Sequence, residues 1–202
     1  TPGNDNISFL FPSGSSPYTI TISSALPTIV SASTVVGAGT AGTLNINGLG
    51  ASNLIIDANK GDFSIFSIAS GGNLTIAGVT VTGANNSNDG GAFYNQGTLA
   101  VLNSTLSSNT ATDGAAIYNN GTLSVTSSTL SGNTANNGGG AIFNIGTLSV
   151  TSSTLSGNTA NNGGGISNSG TISVTNSNLS SNTAVGGFGG GIFNLGGNLT
   201  VS

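Results

Sequence analysis

The chain has 202 residues, 36% of them hydrophobic and only 3% charged; the charges are Lys60 and five Asp, for a formal net charge of −4. One cation excludes nucleic acid and anionic membranes as electrostatic partners, and no apolar run approaches the roughly 18 residues of a membrane span. Cysteine, methionine, tryptophan and histidine are absent, which removes disulfide, thiol and imidazole chemistry and suits long residence outside a cell.

Residues 1–17 do not fit the pattern of the rest and are expected to form an N-terminal cap over the first coil. Their apolar run carries Ile7, Phe9 and Phe11 and is closed by Pro12. Residues 18–202 are expected to form one repeat domain. Alternation at 18–22 predicts the first strand, and Pro27 places the following segment at an edge.

Further strand starts follow at Thr43, Asn73, Thr98, Thr122, Thr147, Thr171 and Asn198. The spacing is explicit in the middle of the chain, where residues 121–137 recur letter for letter at 146–162. A verbatim copy 25 positions on is the signature of a repeat architecture. Within each copy apolar and polar residues alternate, as at Leu123, Ser124 and Val125, so the unit is built from strands. The prediction is an all-β protein: a right-handed parallel β-helix of about seven to eight coils of 24–25 residues, with three short strands per coil. Insertions are expected near 59–62 and 185–188.

Inward positions should stack as ladders of like residues: Leu99, Leu123, Leu148 and Ile172; Val101, Val125, Val150 and Val174; Leu106, Leu130, Leu155 and Leu179. Two asparagine series align in the same way, Asn95, Asn119, Asn144, Asn168 and Asn194, and Asn109, Asn133, Asn158 and Asn182. Each Asn can donate its amide to the next, satisfying polar groups at a bend.

Residues 139–144 (Gly-Gly-Ala-Ile-Phe-Asn) and 189–194 (Gly-Gly-Gly-Ile-Phe-Asn), alternating with Ser-Gly-Asn-Thr-Ala at 131–135 and 156–160, resemble the repeats of right-handed parallel β-helix surface proteins. They are similar to polymorphic outer-membrane-protein repeats and to bacterial secreted β-helix repeat proteins. The resemblance covers roughly residues 17–202 and implies a β-helix, secretion and an adhesive or structural role.

Catalysis finds little support in the residue types. Polysaccharide lyases and hydrolases on this fold need Arg or Lys with Ca²⁺, or convergent carboxylates, and the chain has no Arg, His or Glu. No cofactor is expected. The weak Ca²⁺ candidates are Asp57 and Asp62, flanking Lys60, and Asp89 and Asp113, one coil apart and followed in register by Asn137 and Asn162; a simple turn role competes in each case.

Outward positions carry a file of aromatics, Tyr94, Tyr118, Phe143 and Phe193, interrupted at Ser167, which is expected to form a lateral stripe. A second outward array, Thr98, Thr122, Thr147 and Thr171, resembles the Thr faces of ice-binding β-solenoids. Asn198 opens a new coil whose Leu199 and Val201 present an edge; with Ile7, Phe9 and Phe11 they are the expected self-assembly residues. The leading expectation is a non-enzymatic extracellular or cell-surface protein that associates head-to-tail into a filament. The alternatives are an adhesin or coat module of a larger secreted protein, and an ice or glycan binder using the Thr/Ser face, with cell-surface or matrix glycans as the partner class.

Overall fold

The computed structural model describes residues 5–9, 17–30 and 43–202; Phe11 lies outside them. Among the described residues every regular element is a strand, and the strands wind into a parallel β-solenoid of about six turns. Four stacked sheets form its faces. The first contains Asp5–Ser8, Leu44–Asn47, Asn73–Ala77, Thr98–Leu102, Thr122–Thr126, Thr147–Thr151, Thr171–Thr175 and Asn198–Val201. The second starts with Tyr18–Thr21 and Leu54–Asp57 and continues through Thr105–Ser107, Thr129–Ser131 and Thr154–Ser156.

Two details differ from the expectation. The Tyr18–Thr21 strand pairs with Leu54–Asp57 in the second sheet, not the first; the leading rung of the first sheet is Asp5–Ser8, parallel to Leu44–Asn47. Alternation identifies a strand but not the face it joins, and counting every such start as a coil raised the count above the six turns formed. A coil also carries a fourth, shorter ladder. After the second strand the chain adds Thr110–Ala111, Thr134–Ala135, Thr159–Asn162 and Thr183–Phe188, then turns into the sheet that holds Phe93–Asn95, Ile117–Asn119 and Ile142–Asn144. The insertion at 185–188 is absorbed there as an irregularity, because Ala160 pairs with Ala184 and Asn162 with Phe188.

The register explains the core. Leu99, Leu123 and Leu148 are consecutive partners, as are Val101, Val125 and Val150, and all six are buried. Leu106, Leu130 and Leu155 pack from the second sheet, with Ile117, Ile142 and Ile166 facing them from the last. Beside the fourth ladder Ala111, Ala115, Ala135 and Ala160 form a separate small core. Each fully buried Leu contributes about 1.5–3 kcal/mol of transfer free energy, repeated once per turn.

Left-handed residues set the corners. Asn103, Ser127, Ser152 and Asn176 (φ 47–49°) end the first strands, and Ser108, Gly132, Gly157 and Ser181 (φ 53–63°) end the second. Short polar residues and Gly tolerate this region best. The corner leading back to the first sheet is different: a Cβ at Gly121 would collide with the carbonyl oxygen of Gly97, and one at Gly146 with that of Gly121. There glycine is required by close approach of successive coils. Gly146→Ala should therefore destabilise the chain by about 1–3 kcal/mol, measured by thermal or urea unfolding. Gly157→Ser meets nothing within 4 Å of the added Cβ and gives up only the freedom of glycine at φ 63°, a region Ser108 also occupies, so it should cost about 1 kcal/mol with no steric term added.

Candidate functional site

Burial of the corner polar groups produces continuous amide ladders. Asn95 Nδ2 donates to Asn119 Oδ1 at 2.7 Å, Asn119 to Asn144 at 2.7 Å, Asn144 to Asn168 at 2.6 Å and Asn168 to Asn194 at 2.6 Å. The Nδ2 atoms of Asn95, Asn119 and Asn144 also reach backbone carbonyls of the following coil, as Asn119 does to Thr147 at 3.1 Å. In the second series Asn109, Asn133 and Asn158 donate Nδ2 to the Oδ1 of Asn133, Asn158 and Asn182 at 3.1, 3.0 and 2.9 Å. Those Oδ1 atoms also accept the donor residue's own backbone N–H, at 3.1 Å for Asn109 and 3.0 Å for Asn133 and Asn158.

A third ladder escaped the sequence reading. The backbone N–H groups of Ser104, Ser128 and Ser153 donate to the Oγ of Ser128, Ser153 and Ser177 at 3.2, 3.1 and 3.1 Å. Each hydroxyl in turn donates to a carbonyl two residues earlier, at 2.8 Å for Ser128 to Thr126. The signal was the recurrence of Ser at 104, 128, 153 and 177. Strand alternation hid it, because a left-handed residue just before each Ser resets which side faces inward.

The outward file presents a different surface. Tyr94 stacks on Tyr118 with centroids 5.2 Å apart and planes 11° apart, and Tyr118 on Phe143 at 5.3 Å and 12°. All three are half-buried. Ser67 takes the position before Tyr94, and Ser167 the one after Phe143. Beyond Ser167, Phe193 meets Phe188 at 5.8 Å and 43° rather than joining the stack. A second stack, Phe66 on Phe93 at 5.0 Å, lies inside; adjacent aromatics at 93 and 94 thus serve opposite sides of one strand. On the first sheet, Thr98, Thr122, Thr147 and Thr171 are exposed and in register.

The carboxylates bind the chain's own backbone. Asp57 Oδ1 accepts the Asn59 N–H at 2.7 Å, closing the turn that holds Lys60. Asp62 accepts from Ser87 N–H at 2.6 Å and Ser87 Oγ at 3.1 Å, which holds this exposed acid below its ordinary value. Asp57 and Lys60 line one cleft, Asp62 and Asp89 another. Asp113 Oδ1 accepts the Gly138 N–H at 2.7 Å, with Asn137 Nδ2 at 3.4 Å from Oδ2.

This arrangement corrects the expected series: Gly138, not Asn137, continues the file from Asp113 to Asn162. Gly114 N–H bonds to Gly138 O, and Gly139 N–H to Asn162 O. The left-handed glycines Gly90, Gly114, Gly139 and Gly163 fix the register, and the copy from 136 carries one residue more before its glycine. Among the described residues no group of three His, Cys, Asp or Glu side chains is placed to hold a metal ion. Burial, and then the charge of Asp113, push Asp89 above the ordinary carboxylate value of 3.8. Burial, followed by Asp89, Tyr94 and Asp113, raises Tyr118.

No family model matches the chain, and comparisons with curated proteins and with solved structures find no match.

Two outcomes are expected. Asn144→Ala removes the acceptor of Asn119 and the donor to Asn168 in a buried site, and should cost about 2–4 kcal/mol in denaturant unfolding. For Asp89, a folded-state pKa above the unfolded one means that charging it opposes folding, so stability is lost as pH rises through the carboxylate range. Asp89→Asn should raise the melting temperature at neutral pH, and the gain should vanish below the ordinary value of 3.8.

Proposed function

We propose that the chain is a non-enzymatic extracellular structural protein, a β-solenoid that self-associates head-to-tail into a filament or surface fibre. The observation that carries this reading is one column of the first sheet. It runs in unbroken register from Ile7 through Ile46, Ile76, Val101, Val125, Val150 and Val174 to Val201. Its outermost described members are exposed, Ile7 by 44% and Val201 by 65%, and Leu195 and Leu199 are exposed as well. An aliphatic edge with free backbone groups is a template for another parallel strand, and joining unlike ends of identical subunits propagates without closing.

The leading end has a surface to receive it. Ile7, Phe9, Ile20, Ile22 and Ile46 line an apolar cavity of ≈ 300 Å³. Composition supports the same reading, since a surface with 3% charged residues has little of the like-charge repulsion that keeps sheet edges apart. The second reading, an adhesin or coat module of a larger secreted protein, is favoured by the verbatim repeat, because a further coil of the same polypeptide would fit the Val201 edge equally well.

Negative-stain microscopy and sedimentation over a concentration series test the proposal. The chain should form rods that lengthen with concentration, and Val201→Asp should hold it at the monomer without lowering its melting temperature. Short rods of constant length at every concentration would count against the filament.

A further inference from the structure

The aromatic stack is closed on one side and open on the other. Tyr118 covers one face of the Tyr94 ring, but the position one coil ahead is Ser67, too small to cover the opposite face. On that side lies a cleft of ≈ 510 Å³ lined by Tyr94, Ser67, Ser64, Asn88 and the carboxylates Asp62 and Asp89. Tyr118 and Phe143 take no part in its wall, so the cleft sits ahead of the stack.

We propose that this cleft binds one neutral pyranose unit of a glycan. A pyranose has an apolar C–H face and a rim of hydroxyls, and the cleft offers the complement of both. The free face of Tyr94 is held flat by the ring behind it, so little side-chain entropy is lost on stacking. Asp62 stays ionised through its bonds to Ser87, and a carboxylate has about four acceptor sites, so lone pairs remain for sugar hydroxyls. Part of the rim is rigid: buried Asn86 spends its Nδ2 on Ser64 Oγ at 3.0 Å and Asp89 O at 3.0 Å, and its Oδ1 accepts the Asn88 N–H at 3.0 Å. With Asp62, Asp89 and Asp113 nearby and a net charge of −4, the site repels uronates and sulfated sugars. The inference is independent of the self-association reading, because none of these residues lies on the Val201 edge.

The test is saturation-transfer NMR and calorimetry with neutral trisaccharides of glucose, galactose and N-acetylglucosamine, against trigalacturonate. At least one neutral probe should bind with millimolar affinity. Tyr94→Ala should weaken it about tenfold or more, Tyr94→Phe should retain it, and Asp62→Asn, which keeps an Oδ1 acceptor for the Ser87 N–H but loses the charge that those bonds favour, should weaken it with a small fall in melting temperature. Phe143→Ala, at the far end of the stack, should leave binding unchanged. The proposal is overturned if no neutral probe binds at about 10 mM, if trigalacturonate binds as well as they do, or if Tyr94→Ala and Asp62→Asn both bind like the parent chain.

Discussion

The solenoid depends on one constraint: the buried amides and hydroxyls at its corners find partners one coil away, and among the described residues Asn162 Oδ1 alone is a buried side-chain atom without a hydrogen bond. Asn158 shows how completely this is met. Its Nδ2 donates to Asn182 Oδ1 and to Leu130 O, both at 2.9 Å; its backbone N–H donates to Asn182 Oδ1 at 3.0 Å; and its own Oδ1 receives both the backbone N–H and the Nδ2 of Asn133. No other side chain of that size offers two amide hydrogens and two lone pairs. Aspartate would lose the donors and add charge, and an apolar residue would orphan groups on both neighbours at about 1–3 kcal/mol each. Identity is thus inherited from coil to coil, and near-verbatim repetition is its record in the sequence.

The same inheritance shapes the exterior. In-register side chains of a parallel sheet stand about 4.8 Å apart, so rings at one position must either stack or be interrupted. Tyr94, Tyr118 and Phe143 stack, and Ser67 and Ser167 bound the run. A distinct surface on such a solenoid therefore arises where the repeat fails. The cleft ahead of Tyr94 exists because a small residue precedes a large one, and exposed Phe188, paired with half-buried Phe193, belongs to the coil that carries extra residues.

This also decides what could be read without coordinates. Columns such as Leu123 with Leu148, and Asn119 with Asn144, follow from period and alternation alone, since both members occupy the same letter of the repeat. Register near the third corner did not follow, because aligning Asp113 with Asn137 matches letters, whereas the chain aligns the left-handed Gly114 with Gly139. The serine ladder was hidden by the corner reset of alternation, and the face joined by Tyr18–Thr21 depends on a pairing partner that local pattern does not name. The aromatic file was legible as a stripe. Its open end was not, because a cleft depends on how Asp62 and Ser64 fold over from the preceding coil.

Charge and repetition are in direct conflict, which accounts for the composition. A charged residue placed once in every coil would form a column of like charges about 4.8 Å apart, each adjacent pair costing about 1 kcal/mol in bulk water and several times that near a protein surface. Neutral Asn, Ser and Thr carry no such penalty and can be copied indefinitely. The exception shows the cost: burial makes Asp89 harder to ionise, and the charge of Asp113 in the next coil adds to it; the file then continues with Gly138 and Asn162. A chain built by copying its own coils must give up the charges that ordinarily keep sheet edges apart, so the neutrality that lets one coil stack on the next also removes that guard along the whole stack.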